Sequence, residues 1–175
     1  MMLNRLSISE SFMNKFLKKL GSIVFLFQTI EEEMKYIPMS LVATELDVNF
    51  GKSDEITEVL YGDRNFKSLK LLFSRIVYLC FPDADEKLEF NELIKRISNA
   101  EEQRNKYIHS VYWFLPENKI SKSKSNKTIR NPKIVYDHVN FKDMNKFIDE
   151  LFSISYTLNN FIREVYIIYH KNDYK

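Results

Sequence analysis

Arg104 and His109 are the two residues of this chain whose types and spacing suit chemistry on an anionic substrate. They stand in the segment Glu-Glu-Gln-Arg-Asn-Lys-Tyr-Ile-His-Ser-Val-Tyr-Trp, residues 101–113. An imidazole titrates near neutrality, so a histidine here can take and return protons. A guanidinium stays charged and offers a planar fork of donors, so an arginine here can hold a phosphate or a carboxylate. Asn105 follows the arginine and carries both a donor and an acceptor. Glu102 and Tyr112 lie near enough in sequence to act as supporting groups. The other two histidines, His138 and His170, are isolated.

The element that must position these residues is a helix over 84–114. Asp83 can cap it, Glu86 completes a capping box, and Pro116 closes it. Its apolar stripe is Leu93, Ile97, Ala100, Ile108 and Val111, and Arg104 falls in line with that stripe. A charge on a core-facing line needs a partner or a ligand. A salt bridge to a glutamate of a neighbouring helix, or a stem laid over the core, meets the need as well as a substrate does. His109 lies about 140° round the wheel from Arg104 and within reach of Asn105, four residues before it. A surface histidine favoured by the helix dipole is the plainer account of it. Tyr107, Tyr112 and Trp113 read as core or interface aromatics rather than stacking platforms.

The remaining elements form a scaffold. A first helix is predicted over 9–36, with Phe12, Phe16, Leu20, Ile23, Val24, Phe27, Ile30 and Met34 at helical spacing. Gly21 weakens it and Pro38 ends it. Residues 39–52 read as a loop with at most a helical turn, and 54–61 as a short helix stopped by Gly62. A second long helix is expected over 65–80, before Pro82. Residues 117–138 read as an exposed basic loop. Lys119, Lys122, Lys124, Lys127, Arg130 and Lys133 stand there against Glu117 and Asp137. Within it Ile134, Val135 and Tyr136 suit a short strand or a packed return. The basic run suits either a solvated linker or a weak RNA contact through Lys119, Lys122, Lys124, Lys127 and Arg130. Asn140 caps a last helix striped by Met144, Ile148, Leu151, Leu158, Ile162 and Val165. The fold class expected is all-α, an antiparallel four- to five-helix bundle. An elongated coiled coil fits less well, because the apolar faces are broad and aromatic.

Composition agrees with that scaffold. A chain of 175 residues suggests a single domain over 1–175. Hydrophobic residues make up 45% and aromatics 14%, enough for a sizeable core. Three glycines and four prolines favour long helices over a turn-rich β protein. A net charge of +2 leaves any nucleic-acid affinity to local clustering. The lone Cys80 excludes an internal disulfide and suits a reducing compartment. The apolar run 22–27 is too short to span a bilayer, so the expectation is a soluble cytoplasmic protein without membrane association. The sequence holds no Gly-rich phosphate loop, no Cys/His metal spacing and no nucleophile elbow, so neither cofactor nor metal is expected.

Arg104-Asn105, three residues, then His109 resembles the Arg-x4-6-His signature of the HEPN superfamily, in its frequent Arg-Asn form. The order of two long helices, motif helix, polar stretch and last helix is similar too. The resemblance implies a small helical bundle that dimerises and joins two motif helices in one composite site. It implies a metal-independent endoribonuclease of toxin or phage-defence type, acting on RNA by 2′-hydroxyl attack. In that scheme His109 transfers protons, Arg104 stabilises the phosphate charge, and Asn105 orients His109 or the phosphate. The toxin branch further implies a cognate antitoxin or nucleotidyltransferase as partner. That branch carries a tyrosine two residues after the histidine; here Val111 holds the position and Tyr112 follows. The alternatives are a non-catalytic HEPN-like module that binds RNA, nucleotide or protein, and a helical interaction protein in which Arg104 is structural.

Overall fold

The computed structural model describes residues 9–45, 65–80, 84–115, 117–125 and 134–172. In chain order these form α1 (Glu10–Glu45), α2 (Phe66–Cys80), α3 (Ala84–Ile108), β1 (Val111–Leu115), β2 (Lys119–Ser125), β3 (Ile134–His138) and α4 (Phe141–Asn172). The described chain is mainly helical and carries one antiparallel sheet of order β1-β2-β3. It divides into two compact units, Met1–Phe25 with Asn99–Glu150, and Leu26–Ser98 with Leu151–Lys175.

The first unit is built around the sheet. Ser9 caps α1, its Oγ accepting the Phe12 N–H at 3.2 Å. Asn140 caps α4, its side-chain oxygen accepting the Lys142 N–H at 2.8 Å. The Phe12 and Phe141 rings meet just inside these two caps, with centroids 5.1 Å apart. Further along α1, the fully buried Phe16 packs edge-on against Tyr112 at 4.9 Å and Phe114 at 5.9 Å. One face of the sheet is thereby apolar and covered. At the end of α3, the buried Tyr107 stacks on Phe147 of α4 at 5.7 Å. Glu117 and Asn118, between β1 and β2, both have positive φ, at 61° and 55°. That is the backbone a tight hairpin needs, and asparagine tolerates it well. The Asn118 side-chain oxygen also accepts the Ser9 N–H and hydroxyl, tying the hairpin to the start of α1.

The second unit is helical. Leu26, Phe27, Ile30 and Met34 of α1, Leu69, Phe73 and Val77 of α2, Phe90, Leu93 and Ile97 of α3, and Leu151, Ile154 and Leu158 of α4 are its buried side chains. A run of rings links three of those helices, Phe73 to Phe90 at 5.4 Å and Phe90 to Phe161 at 5.5 Å. Glu33 of α1 is half-buried. Its Oε1 accepts from Ser155 Oγ at 3.0 Å and Asn159 Nδ2 at 3.3 Å, while Oε2 is buried without a hydrogen bond among the described residues. Burial raises its pKa above 4.5, against the opposing pull of those two hydrogen bonds.

Several expectations are corrected. The chain is mainly helical as expected, but it also carries a small three-stranded sheet that an all-α bundle lacks. Residues 117–138 are not simply a loop, because 119–125 and 134–138 are strands; the strand expected at 134–136 is present. The third helix stops at Ile108 rather than Phe114, and β1 follows almost at once. The run Val-Tyr-Trp-Phe-Leu is rich in β-branched and aromatic residues, which suit a pleated surface. The first helix runs past Tyr36 and through Pro38 to Glu45. Pro38 withholds the N–H that would meet the Met34 carbonyl, but Met34 is wholly buried, and that packing outweighs one missing bond. The second helix and the last helix fall where expected. The short helix expected over 54–61 lies outside the described residues. Among the described residues, no helix is long and apolar enough to cross a membrane.

Two stability measurements check these packing arguments. Gly21 sits in an exposed turn of α1, and a Cβ built there meets nothing within 4 Å. Gly21→Ala should therefore raise the urea midpoint, by about 0.5–1 kcal/mol of stability. For Glu33, the folded pKa lies above the unfolded 4.5. Its ionisation therefore opposes folding at neutral pH, and the opposition fades as pH falls through the raised folded value towards 4.5. Melting curves from pH 7 to 4.5 should show the Tm of Glu33→Gln, relative to the parent, highest at pH 7 and dropping on acidification.

Candidate functional site

The last two turns of α3 bring Arg104 and Asn105 together. Ile97 and Ala100 before Arg104 are buried, as its spacing predicts, but the same stripe does not continue beyond it: Ile108 is half-buried and Val111 is exposed on β1. Arg104 is half-buried with its Nε covered, and its Nη1 donates to Asn105 Oδ1 at 3.0 Å. The guanidinium is thus held by its sequence neighbour. This bond helps to orient the planar fork.

His109 lies one residue beyond the helix, in an exposed turn. Its N–H still reaches the Asn105 carbonyl at 3.2 Å, and the Ser110 hydroxyl donates to the Lys106 carbonyl at 2.5 Å. These bonds close the helix and turn the chain into β1. Among the described residues no side-chain hydrogen bond joins Asn105 to His109; the Asn105 Oδ1 accepts from Arg104. Glu102 is exposed on α3.

Tyr112 belongs to β1, not to the helix. Its hydroxyl donates to the Tyr107 carbonyl at 2.5 Å, and its ring packs on Phe16. Burial, reinforced by the neighbouring Tyr107, pushes its pKa up to about 12. It braces the strand against the helix end and keeps its proton at physiological pH.

Lys119 and Lys122 stand in different surroundings. Lys119 is exposed and pairs with Glu117 at 2.6 Å. Lys122 is half-buried on the covered side of the sheet, its ammonium 4.7 Å from the centroid of the Tyr107 ring. Burial lowers its pKa, an effect larger than the opposing attraction of Asp137. Lys124 lies on β2, while Lys127 and Arg130 lie outside the described residues. Among the described residues, no group of three or more His, Cys, Asp or Glu is placed to hold a metal ion.

Two features were missed from sequence. His138 lines a cavity of about 460 Å³ with Lys119, Asn118 and Asn140, walled by Phe12 and Phe141. Trp113, placed on the helix by its periodicity, is on β1 and half exposed. The two-residue alternation of Ser121, Ser123 and Ser125 was the signal available for a strand.

Tyr112→Phe should cost about 1 kcal/mol in urea denaturation, the worth of one hydrogen bond to a carbonyl, with an unchanged m value. Compared with protein-family models, curated proteins and solved structures, the chain matches none.

Proposed function

We propose that this chain is a metal-independent endoribonuclease of toxin or phage-defence type, with the Arg104–Asn105–His109 segment as its half of a composite HEPN-like site. The observation that carries the reading is the pairing of an oriented, half-buried guanidinium with an exposed imidazole at one helix end. The two groups suit the two needs of RNA transesterification. Arg104 meets the negative charge that grows on the non-bridging phosphate oxygens. His109 takes the proton of the 2′-hydroxyl as its oxygen attacks phosphorus. The bond from phosphorus to the 5′ oxygen then breaks, leaving a 2′,3′-cyclic phosphate and a 5′-hydroxyl. The leaving oxygen needs a proton as well. One chain offers one imidazole in this segment, so the His109 of a second copy is the natural acid. Asn105 acts by holding Arg104. The excess of lysine and arginine over 117–138 favours a polyanionic substrate.

A second reading is a non-catalytic HEPN-like module that binds RNA, nucleotide or protein. The exposure of His109, with no side-chain hydrogen bond to Asn105 among the described residues, favours it.

Purified protein should cut RNA in EDTA and leave 2′,3′-cyclic phosphate ends. His109→Ala and Arg104→Ala should each slow cleavage by about 10²-fold or more while keeping the parental circular dichroism. Arg104→Lys keeps the charge but loses the fork, and should recover only part of the rate. Parental-rate cleavage by His109→Ala, or no cleavage of any RNA by the parent, overturns the nuclease reading. Binding without turnover establishes the second.

A further inference from the structure

The cavity of about 460 Å³ that His138 lines belongs wholly to the first unit. The Arg104–His109 segment precedes β1, whereas the cavity lies past the other end of that strand, where Asn118 and Lys119 lead into β2. Phe12 of α1, Phe141 of α4, the buried Ile120 of β2 and Val139 are its apolar walls. The two rings stand 5.1 Å apart at an angle of 31°, and both residues are only half-buried. A concave space of this size, apolar with a few polar groups, has the form of a small-molecule site.

The polar groups select the ligand. They belong to Asn118, Lys119, His138 and Asn140, and among the described residues no Asp or Glu lines the cavity. Both asparagines spend Oδ1 on the protein itself. Asn118 accepts the Ser9 N–H and hydroxyl, and Asn140 accepts the Lys142 N–H as the cap of α4. Each amide nitrogen still carries two hydrogens, which no hydrogen bond uses among the described residues. An imidazole has at least one N–H in either charge state, and the Lys119 ammonium has three. What the cavity offers a ligand is therefore donors. Lys119 also pairs with Glu117, but the two side chains are 59% and 76% exposed, and an exposed pair of this kind is weak. One ammonium shared in this way suits a single negative charge better than a phosphate dianion.

We propose that this cavity binds a small aromatic monocarboxylate, with its ring against Phe12 and Phe141 and its carboxylate held by Lys119, His138 and the two asparagine amides. Ring-on-ring contact adds to simple apolar burial, and hydrogen bonds to an ionised acceptor are stronger than neutral ones. No residue of the Arg104–His109 segment lines the cavity, so this binding goes beyond the ribonuclease reading and is independent of it.

The full chain is titrated with benzoate and with phenylacetate, followed by two-dimensional amide NMR spectra. Either acid should shift the Asn118 and Asn140 side-chain amides saturably. Phenylacetamide keeps the ring and loses the charge, and should bind about tenfold or more weakly than phenylacetate. Acetate keeps the charge and loses the ring, and should be weaker by a similar factor. Asn140→Asp turns the donor into a second carboxylate while keeping a good helix cap. Its Tm should hold, and its affinity for phenylacetate should fall about tenfold or more. Lys119→Met removes the charge at an exposed position and should weaken binding likewise; it decides the matter if Asn140→Asp lowers the Tm. No saturable shift with either acid up to about 10 mM overturns the proposal, as does equal affinity for phenylacetamide. So does undiminished affinity in the two variants. Shifts at Arg104 and His109 in place of the cavity residues overturn it too, because the acid has then bound at the other cationic site.

Discussion

The ring of Phe16 against Tyr112 and Phe114 is the contact on which the first unit depends. A small three-stranded sheet does not persist in water without an apolar cover on one face. Phe16 supplies that cover from α1, with Ile120 buried on the same side. The contact also decides which residues face outward. Strand side chains alternate with a period of two, so a slip of one residue would send Trp113 inward and Tyr112 out. Much that is exposed on the sheet is thus a consequence of a buried ring.

The same strand fixes the end of α3. The Tyr112 hydroxyl holds the Tyr107 carbonyl, and the Ser110 hydroxyl holds that of Lys106. Both are carbonyls of the last helical turn, which a helix leaves without internal partners. Satisfying them from β1 and from the turn lets the helix stop where it does. His109 falls in the short interval between the last helical residue and the first strand residue, and is exposed for that reason. Arg104, a turn earlier, stands in line with the buried Ile97 and Ala100, and Asn105 holds its fork. Within six residues the chain therefore carries a fixed cation and an open imidazole.

Elements set by local interactions are legible in the sequence. The span 65–80 and the Asn140 cap follow from interactions within a few residues, as capping and helical periodicity always do. Elements that a distant partner decides are not legible in it. Residues 111–115 are all apolar, so they satisfy both the helical and the strand period, and only pairing with β2 separates the two. Lysines and serines at 119–125 look like solvated loop, yet hydrogen bonding on both sides makes them the central strand. Pro38 is a helix breaker by its own chemistry, and the packing of Met34 before it prevails.

By itself, the sequence determined that the chain is mainly helical and that Arg104 stands in line with Ile97 and Ala100, both buried, on its helix. These rest on the helix, whose bonds reach only four residues back. Tertiary structure alone decided that His109 leaves the helix, that Tyr112 is a brace rather than a reactive group, and that Trp113 faces outward. Each of these depends on the sheet, whose bonds join residues far apart in the chain and whose two faces are told apart only by what packs against one of them.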